Sequence, residues 1–249
     1  MNATATLLFV VCGLMVVAAL GLWALRHPLF SLGGISVQGE VSHSSPAMLR
    51  ANVAPRLKGN FFTLDLEQAR HAFEDVPWVR RAVVRREFPN RLRVQLQEHQ
   101  AVAFWGAEGE STLVNQQGEV FEANPDDIED EGLPRLSGPP SQAAEVLATW
   151  RAIAPLFKDI DLPVEQLTLT SRGSWQAVLD SGARIELGRG TTQEVQARAR
   201  RFVLTITQAA GRYARRPEAV VAADLRHADG YAIRLRGVST VGADAQQKR

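Results

Sequence analysis

The sequence predicts an α+β protein: a single N-terminal transmembrane helix, a small β-α-α-β-β unit, then a mixed β unit with two packed helices. Three observations carry that prediction. Residues 7–25, LLFVVCGLMVVAALGLWAL, contain no charged or strongly polar side chain. Residues 35–100 run through one strand pattern, two helical stripes and two further strand patterns. From residue 101, short alternating runs recur around two long helical stripes.

Composition sets outer limits. The chain has 249 residues, 45% of them hydrophobic, which suffices for an anchor and one or two folded domains. The formal net charge is only +1, so total charge gives no long-range attraction to nucleic acid. Cys12 is the sole cysteine and lies in the apolar run, which excludes an intramolecular disulfide, a CxxC motif and a thiolate metal cluster. A chain without disulfides is compatible with the cytosol or the periplasm.

As a helix, residues 7–25 rise by about 1.5 Å each and cover roughly the 30 Å hydrocarbon core of a bilayer. A cleaved signal peptide would show a basic leader and a shorter apolar stretch, whereas Met1–Thr6 has no Lys or Arg. Arg26 is the only nearby flanking charge, and by the positive-inside rule it votes weakly for a cytoplasmic C-terminal side. One residue leaves topology open, because long domains translocate largely regardless of charge.

The next elements follow in order. Ile35 begins a short strand with a turn at Gly39, and Ser45 and Pro46 provide a cap and first position for a helix. A second helix is predicted from Asp65, with Gln68 as capping-box partner and Leu66, Ala69, Ala72 and Phe73 on one face; Val76-Pro77-Trp78 ends it. Val79–Phe88 and RLRVQLQEH form a hairpin about Pro89-Asn90, with Leu92, Val94 and Leu96 turned inward.

AVAFW and the STLVNQQGEVF hairpin, turning near Gln116–Gly118, open the larger unit. An acidic, proline-containing loop is expected at 122–135. Residues 141–157 predict a helix with Val146, Trp150, Ile153 and Leu156 or Phe157 inward. Three strands come next, EQLTLTS, SWQAVLD and ARIELG. Thr191 and Glu194 then form a capping box for a long helix whose stripe is Val195, Ala199, Phe202, Val203 and Ile206. A closing hairpin, ADLRHADGYAIRL, turns at Asp229-Gly230 and completes a sheet of roughly seven strands; residues 238–249 have little to bury and are expected to be disordered.

Residues suited to catalysis are scattered. His27, His43, His71, His99 and His227 show no metal-ligand spacing and read as surface residues, and no serine sits in GxSxG. LGRGTT at 187–192 could hold an anion at a helix N-terminus but lacks the lysine of a P-loop, and a turn plus N-cap fits it better. Asp159 and Asp161 read as a loop. No cofactor or metal is therefore expected, and no enzyme activity.

Arg80, Arg81, Arg85, Arg86, Arg91 and Arg93 crowd into residues 80–93, with Glu87 as the one opposing charge. From Val94 to Pro134 there is no Lys or Arg at all. Three readings fit the cluster: a solvated sheet face protected against aggregation, a protein-docking patch, or a contact for anionic lipid. Nucleic acid fits poorly, because no aromatics alternate with the arginines as stacking surfaces.

Taken together, ISVQGEVSHSSPAMLR, DVPWVRRAVVRREFPNRLRVQLQEHQAVAFW, LVNQQGEVF, SWQAVLDSGARIELGRGTTQEVQARARRF and ADLRHADGYAIRL resemble the bacterial FtsQ/DivIB cell-division family over nearly the whole chain. The resemblance implies a short cytoplasmic tail (1–6), a transmembrane helix (7–26), a POTRA domain (33–100), a β domain (101–237) and a C-terminal tail (238–249). It implies a non-catalytic inner-membrane scaffold of the divisome, N-terminus cytoplasmic, enriched at the septum. The implied partners are FtsB and FtsL at the last strands of the β domain, then FtsK, FtsW, FtsI and FtsN. Arg226, His227, Asp229, Gly230, Tyr231, Ile233, Arg172 and Trp175 would meet a partner, and the six arginines would form a POTRA contact patch. His227 stands where the family usually has tyrosine, and Gly173 where it is often basic. A POTRA-bearing envelope-assembly protein or a lipid-binding anchored protein is the alternative.

The mechanism this suggests is strand addition at the C-terminal edge. Tyr231, Ile233 and Leu235 would pack on the domain, Ala232 and Arg234 would face away, and Arg226 would meet a partner carboxylate.

Overall fold

The computed structural model describes residues 3–25, 31–39, 41–124, 127–128, 132–227 and 229–238. The chain divides into two compact units, Met1–His99 and Gln100–Arg249.

Helix α1 (Ala3–Leu25) starts four residues before the apolar run and shows no opposed polar face. At about 1.5 Å per residue its length is roughly 35 Å. It is long and apolar enough to cross a membrane, and Ala3–Trp23 is exposed throughout. Met1, Asn2 and Arg26, on which the tail and topology expectations rested, lie outside the described residues, as do 239–249 of the tail.

In the first unit β1 (Gly34–Gln38) is followed by α2 (Pro46–Val53), α3 (Leu66–Glu74), β2 (Val79–Glu87) and β3 (Arg91–Glu98). The sheet order is β1-β3-β2, with β1 parallel and β2 antiparallel to β3. Both helices start where their caps demand: the Ser45 side chain accepts from Met48 N–H with Pro46 at the first position, and Asp65 accepts from Glu67 and Gln68 N–H. Strict alternation on β3 puts Leu92, Val94 and Leu96 under the helices, where they meet Leu49, Val53, Ala69 and Phe73.

The expectation that the histidines are surface residues is corrected at His43. Its ring stacks on Trp78 with centroids 3.8 Å apart, and its Nδ1 lies 3.4 Å from Glu98. Glu98 also accepts from the N–H groups of Ser42, His43 and Ser44 at 2.9, 3.1 and 2.8 Å. Burial opposes its charge, but the hydrogen bonds from Ser44, His43 and Ser42 win and hold its carboxyl below the usual range. This clasp ties the segment before α2 to the end of β3.

The second unit contains β4 (Ala101–Trp105), β5 (Thr112–Asn115), β6 (Val120–Glu122), β7 (Arg135–Ser137), α4 (Ala143–Lys158), β8 (Val164–Leu169), β9 (Ser174–Leu179), β10 (Arg184–Arg189), α5 (Thr192–Gly211), β11 (Val220–Asp224) and β12 (Ala232–Leu235). These strands form one nine-stranded sheet rather than seven, ordered β12-β11-β10-β9-β8-β7-β4-β5-β6. Within the expected acidic loop, β7 begins at Arg135 and runs parallel to both β4 and β8 near the middle of the sheet. Three residues are too few to show a period of two, so the sequence hides it; residues 125–126 and 129–131 of that loop lie outside the described residues.

Two crossovers shape this unit. Helix α4 carries the chain between parallel β7 and β8, and α5 between parallel β10 and β11. The expected capping box forms in full: Thr191 accepts from Glu194 N–H while Glu194 accepts from Thr191 N–H at 2.8 Å. Phe157, Phe202, Ile153, Leu167 and Leu187 fill the core beneath the helices. The closing hairpin is looser than expected, since β11 and β12 are joined by residues 225–231 instead of a tight turn.

Candidate partner-binding edge

Among the described residues β12 is hydrogen-bonded on one side only, to β11. Its side chains alternate as the pleat requires: Leu235 is buried, Ile233 half-buried, Ala232 and Arg234 exposed. Just ahead of the strand, Tyr231 stands edge-on to Phe202 at 5.1 Å and its hydroxyl lies 2.8 Å from Thr205 Oγ1, which pins β12 to α5. Arg236 N–H donates to Ala219 O at 2.8 Å. Backbone groups alternate direction along a strand, so N–H of Arg234 also faces β11 and those of Ile233 and Leu235 face the free edge. The edge therefore presents an unfilled ladder.

On the far side of β11, the turn between β8 and β9, strands β9 and β10, and Arg226 in the connection after β11 line an open groove of about 760 Å³. Arg172, exposed at the tip of the β8–β9 turn, and Arg226 both line it. Glu186 and Gln176, opposite each other in register, are hydrogen-bonded across its floor at 3.1 Å. Arg198 reaches in from α5 and donates to the carbonyls of Leu187 and Arg189 at 2.7 and 2.6 Å. It braces the LGRG turn, which acts as a turn and N-cap.

Arg226, expected to meet a partner carboxylate, is paired within the chain. Its Nε and Nη2 grip Asp224 at 2.8 and 2.5 Å, and its N–H also donates to Asp224 at 3.1 Å. The Arg226 guanidinium draws the Asp224 carboxyl down to about 2. The pair is solvent-facing on the arginine side, so remaining donors point outward. Its side chain lies over Gly188, where a Cβ would come within 2.9 Å of Arg226 Cγ.

Trp175 is corrected from surface contact to core. It is 1% exposed and its Nε1–H donates to Gly190 O at 3.0 Å, fastening β9 beneath the cap of α5. His227 and Asp229 are exposed and Gly230 half-buried, in the connection leading to β12. Gln176, Glu186, Arg189 and Arg198 were missed; only the i+7 placement of Arg198 after Thr191 hinted that it would face the turn.

The arginine cluster splits between two faces. Arg81, Arg85, Arg91 and Arg93 lie on the open face of the first sheet, since Arg85 pairs with Arg93 and Arg81 with Gln97 in register. Arg93 is joined to Glu87 by a salt bridge. Arg86 opposes Leu92 on the helix side and donates to the carbonyls of Phe61, Phe62 and Leu64, at 2.6, 3.3 and 2.6 Å. It is a brace for residues 61–64 and does not belong to the open-face patch. Arg80 is half-buried at the irregularity beside Val79.

Comparison with known proteins follows the same division. The family model "POTRA domain, FtsQ-type" matches residues 30–99, and "Cell division protein FtsQ/DivIB, C-terminal" matches residues 103–226. The chain is 36% identical over 244 residues to cell division protein FtsQ of Thiomonas arsenitoxydans, covering 97% of this chain and 89% of that protein. It is 38% identical over 239 residues to the FtsQ of Burkholderia pseudomallei, covering 96% and 93%. With the FtsQ of Bordetella pertussis it shares 36% identity over 230 residues, 86% of this chain and 82% of that one. A membrane-length apolar helix, a β-α-α-β-β unit and a mixed sheet with two crossover helices, matched in this way from end to end, place the chain in the FtsQ/DivIB family of cell-division proteins.

Proposed function

We propose that the chain is a non-catalytic scaffold of the divisome that captures FtsB and FtsL by strand addition along β12, and that its POTRA domain engages FtsK, with FtsW, FtsI and FtsN as further partners. It is held in the inner membrane by α1, with the N-terminus cytoplasmic, the two units periplasmic and the assembly enriched at the septum. The observation that carries this reading is the free edge of β12, with Ile233 and Leu235 N–H turned outward, in the same sheet as a groove lined by Arg172 and Arg226 on the far side of β11. A partner strand completes the ladder, and a carboxylate beside it meets the outward donors of Arg226 without displacing Asp224.

Ile233→Pro tests it. Proline removes an outward donor and leaves the β11 ladder intact. Titrating the full chain with a labelled periplasmic segment of FtsB should show at least about tenfold weaker binding, the worth of one or two hydrogen bonds. Unchanged affinity with an unaltered circular dichroism spectrum refutes capture at this edge.

A further inference from the structure

We infer that the β2–β3 turn of the POTRA domain rests on the membrane surface and takes anionic lipid headgroups. Phe88, at the turn, is 79% exposed, the highest value for any large hydrophobic residue among the described residues, α1 included. Beside it Phe62 is 45% exposed, and both are edge-on to the buried Phe61, with centroids at 6.5 and 5.2 Å. Arg86, bonded to the carbonyls of 61, 62 and 64, locks that loop against the end of β2, next to Phe88. Arg85 and Arg91 flank the turn and are exposed.

Topology puts this tip at the end of the domain where the chain arrives from α1. β1 is parallel to β3 and begins at Gly34 opposite Arg91, and Gly33 N–H donates to Asn90 O at 2.8 Å. Eight residue steps separate Leu25 from Gly33, so Gly33, which is hydrogen-bonded to the turn at Asn90, cannot lie more than about 29 Å from the end of the helix. Exposed aromatics with flanking arginines suit the interfacial layer, where rings seat among headgroups and guanidinium groups pair with phosphate. Charge complementarity selects an anionic bilayer over a zwitterionic one.

This rests on α1 spanning the bilayer, and the test separates the two claims. The full chain is reconstituted in nanodiscs of phosphatidylcholine, alone or with phosphatidylglycerol, with doxyl-labelled lipid as quencher. A bimane fluorophore is placed by Phe88→Cys or Gln97→Cys in a Cys12→Ser background; Gln97 is about 20 Å along β3 from Arg91. Bimane on Cys12 of the unsubstituted chain reports insertion and should be quenched in both lipids. The label at 88 should be quenched in phosphatidylglycerol discs, the label at 97 should not, and the effect should fade in about 1 M salt, where screening shortens to about 3 Å. Arg85→Glu and Arg91→Glu should each lower the bound-to-free ratio at the tip by about fivefold or more. Equal quenching at 88 and 97, or indifference to anionic lipid and salt, overturns the inference. Shielding of the tip only when a division partner is co-reconstituted overturns it too, marking a protein contact. Loss of quenching at Cys12 removes the spanning helix and the inference with it.

Discussion

Arg226 and Asp224 show how much a single pair settles at the groove. Because the guanidinium lowers the folded-state carboxyl to about 2, the pair contributes in full above the ordinary aspartate value and fades as pH falls through about 2. Near neutral pH it is constant, so partner capture should not titrate through Asp224. Arg226→Gln removes the charge and keeps the bulk; the Asp224 carboxyl should then move up toward its ordinary 3.8, read by carbon NMR of the side chain. A value still near 2 would mean that Arg226 is not the cause. At this scale the sequence does not reveal depth. Trp175 and Arg226 were both assigned to a partner, yet one caps the core through Gly190 and the other is paired two residues away. Adjacent residues such as Arg85 and Arg86 serve opposite faces, and local spacing does not tell which arginine will find backbone carbonyls within reach.

Among the elements, the turn joining β10 to α5 concentrates the constraints. Gly188 has φ near +79°, a region costly for side chains, and its missing Cβ makes room for Arg226. Gly188→Ala should therefore destabilise the second unit by about 1–2 kcal/mol in urea unfolding, from the left-handed backbone alone. A wild-type midpoint would show that the turn relaxes freely. Elements with their own punctuation were legible: Ser45-Pro46, Asp65 and the Thr191–Glu194 box all start helices where expected. Strand alternation fixed the buried face of β3. β7 was not legible, because its identity as a strand comes from β4 and β8 on either side and not from its three residues.

For the molecule as a whole, the two hydrophobic cores have no residue in common. Leu92 and Phe202 are each completely buried, one in each core. Leu92→Ala should cost about 2–5 kcal/mol and Phe202→Ala about 3–5 kcal/mol, and calorimetry should show each lowering a different thermal transition. If both variants shifted one shared transition, the units would be folding as a single cooperative block. The division into anchor, small unit and larger unit was readable from hydropathy and periodicity. That the last strand lies at a sheet edge was expected; that β6 forms the opposite edge was not, since it depends on pairing between strands far apart in the chain.

β12, one of the two edge strands of its sheet among the described residues, follows every other strand of that sheet in the chain. During synthesis that strand leaves the ribosome after the framework it closes, and its anchor on α5, through Tyr231 and Thr205, already exists by then. A chain interrupted before residue 232 would still possess both helices and the other eight strands, yet would end in β11 and lack the outward N–H groups of Ile233 and Leu235. The order of elements thus acts as a check on completeness: the edge proposed for docking becomes available only after the other eight strands have been made.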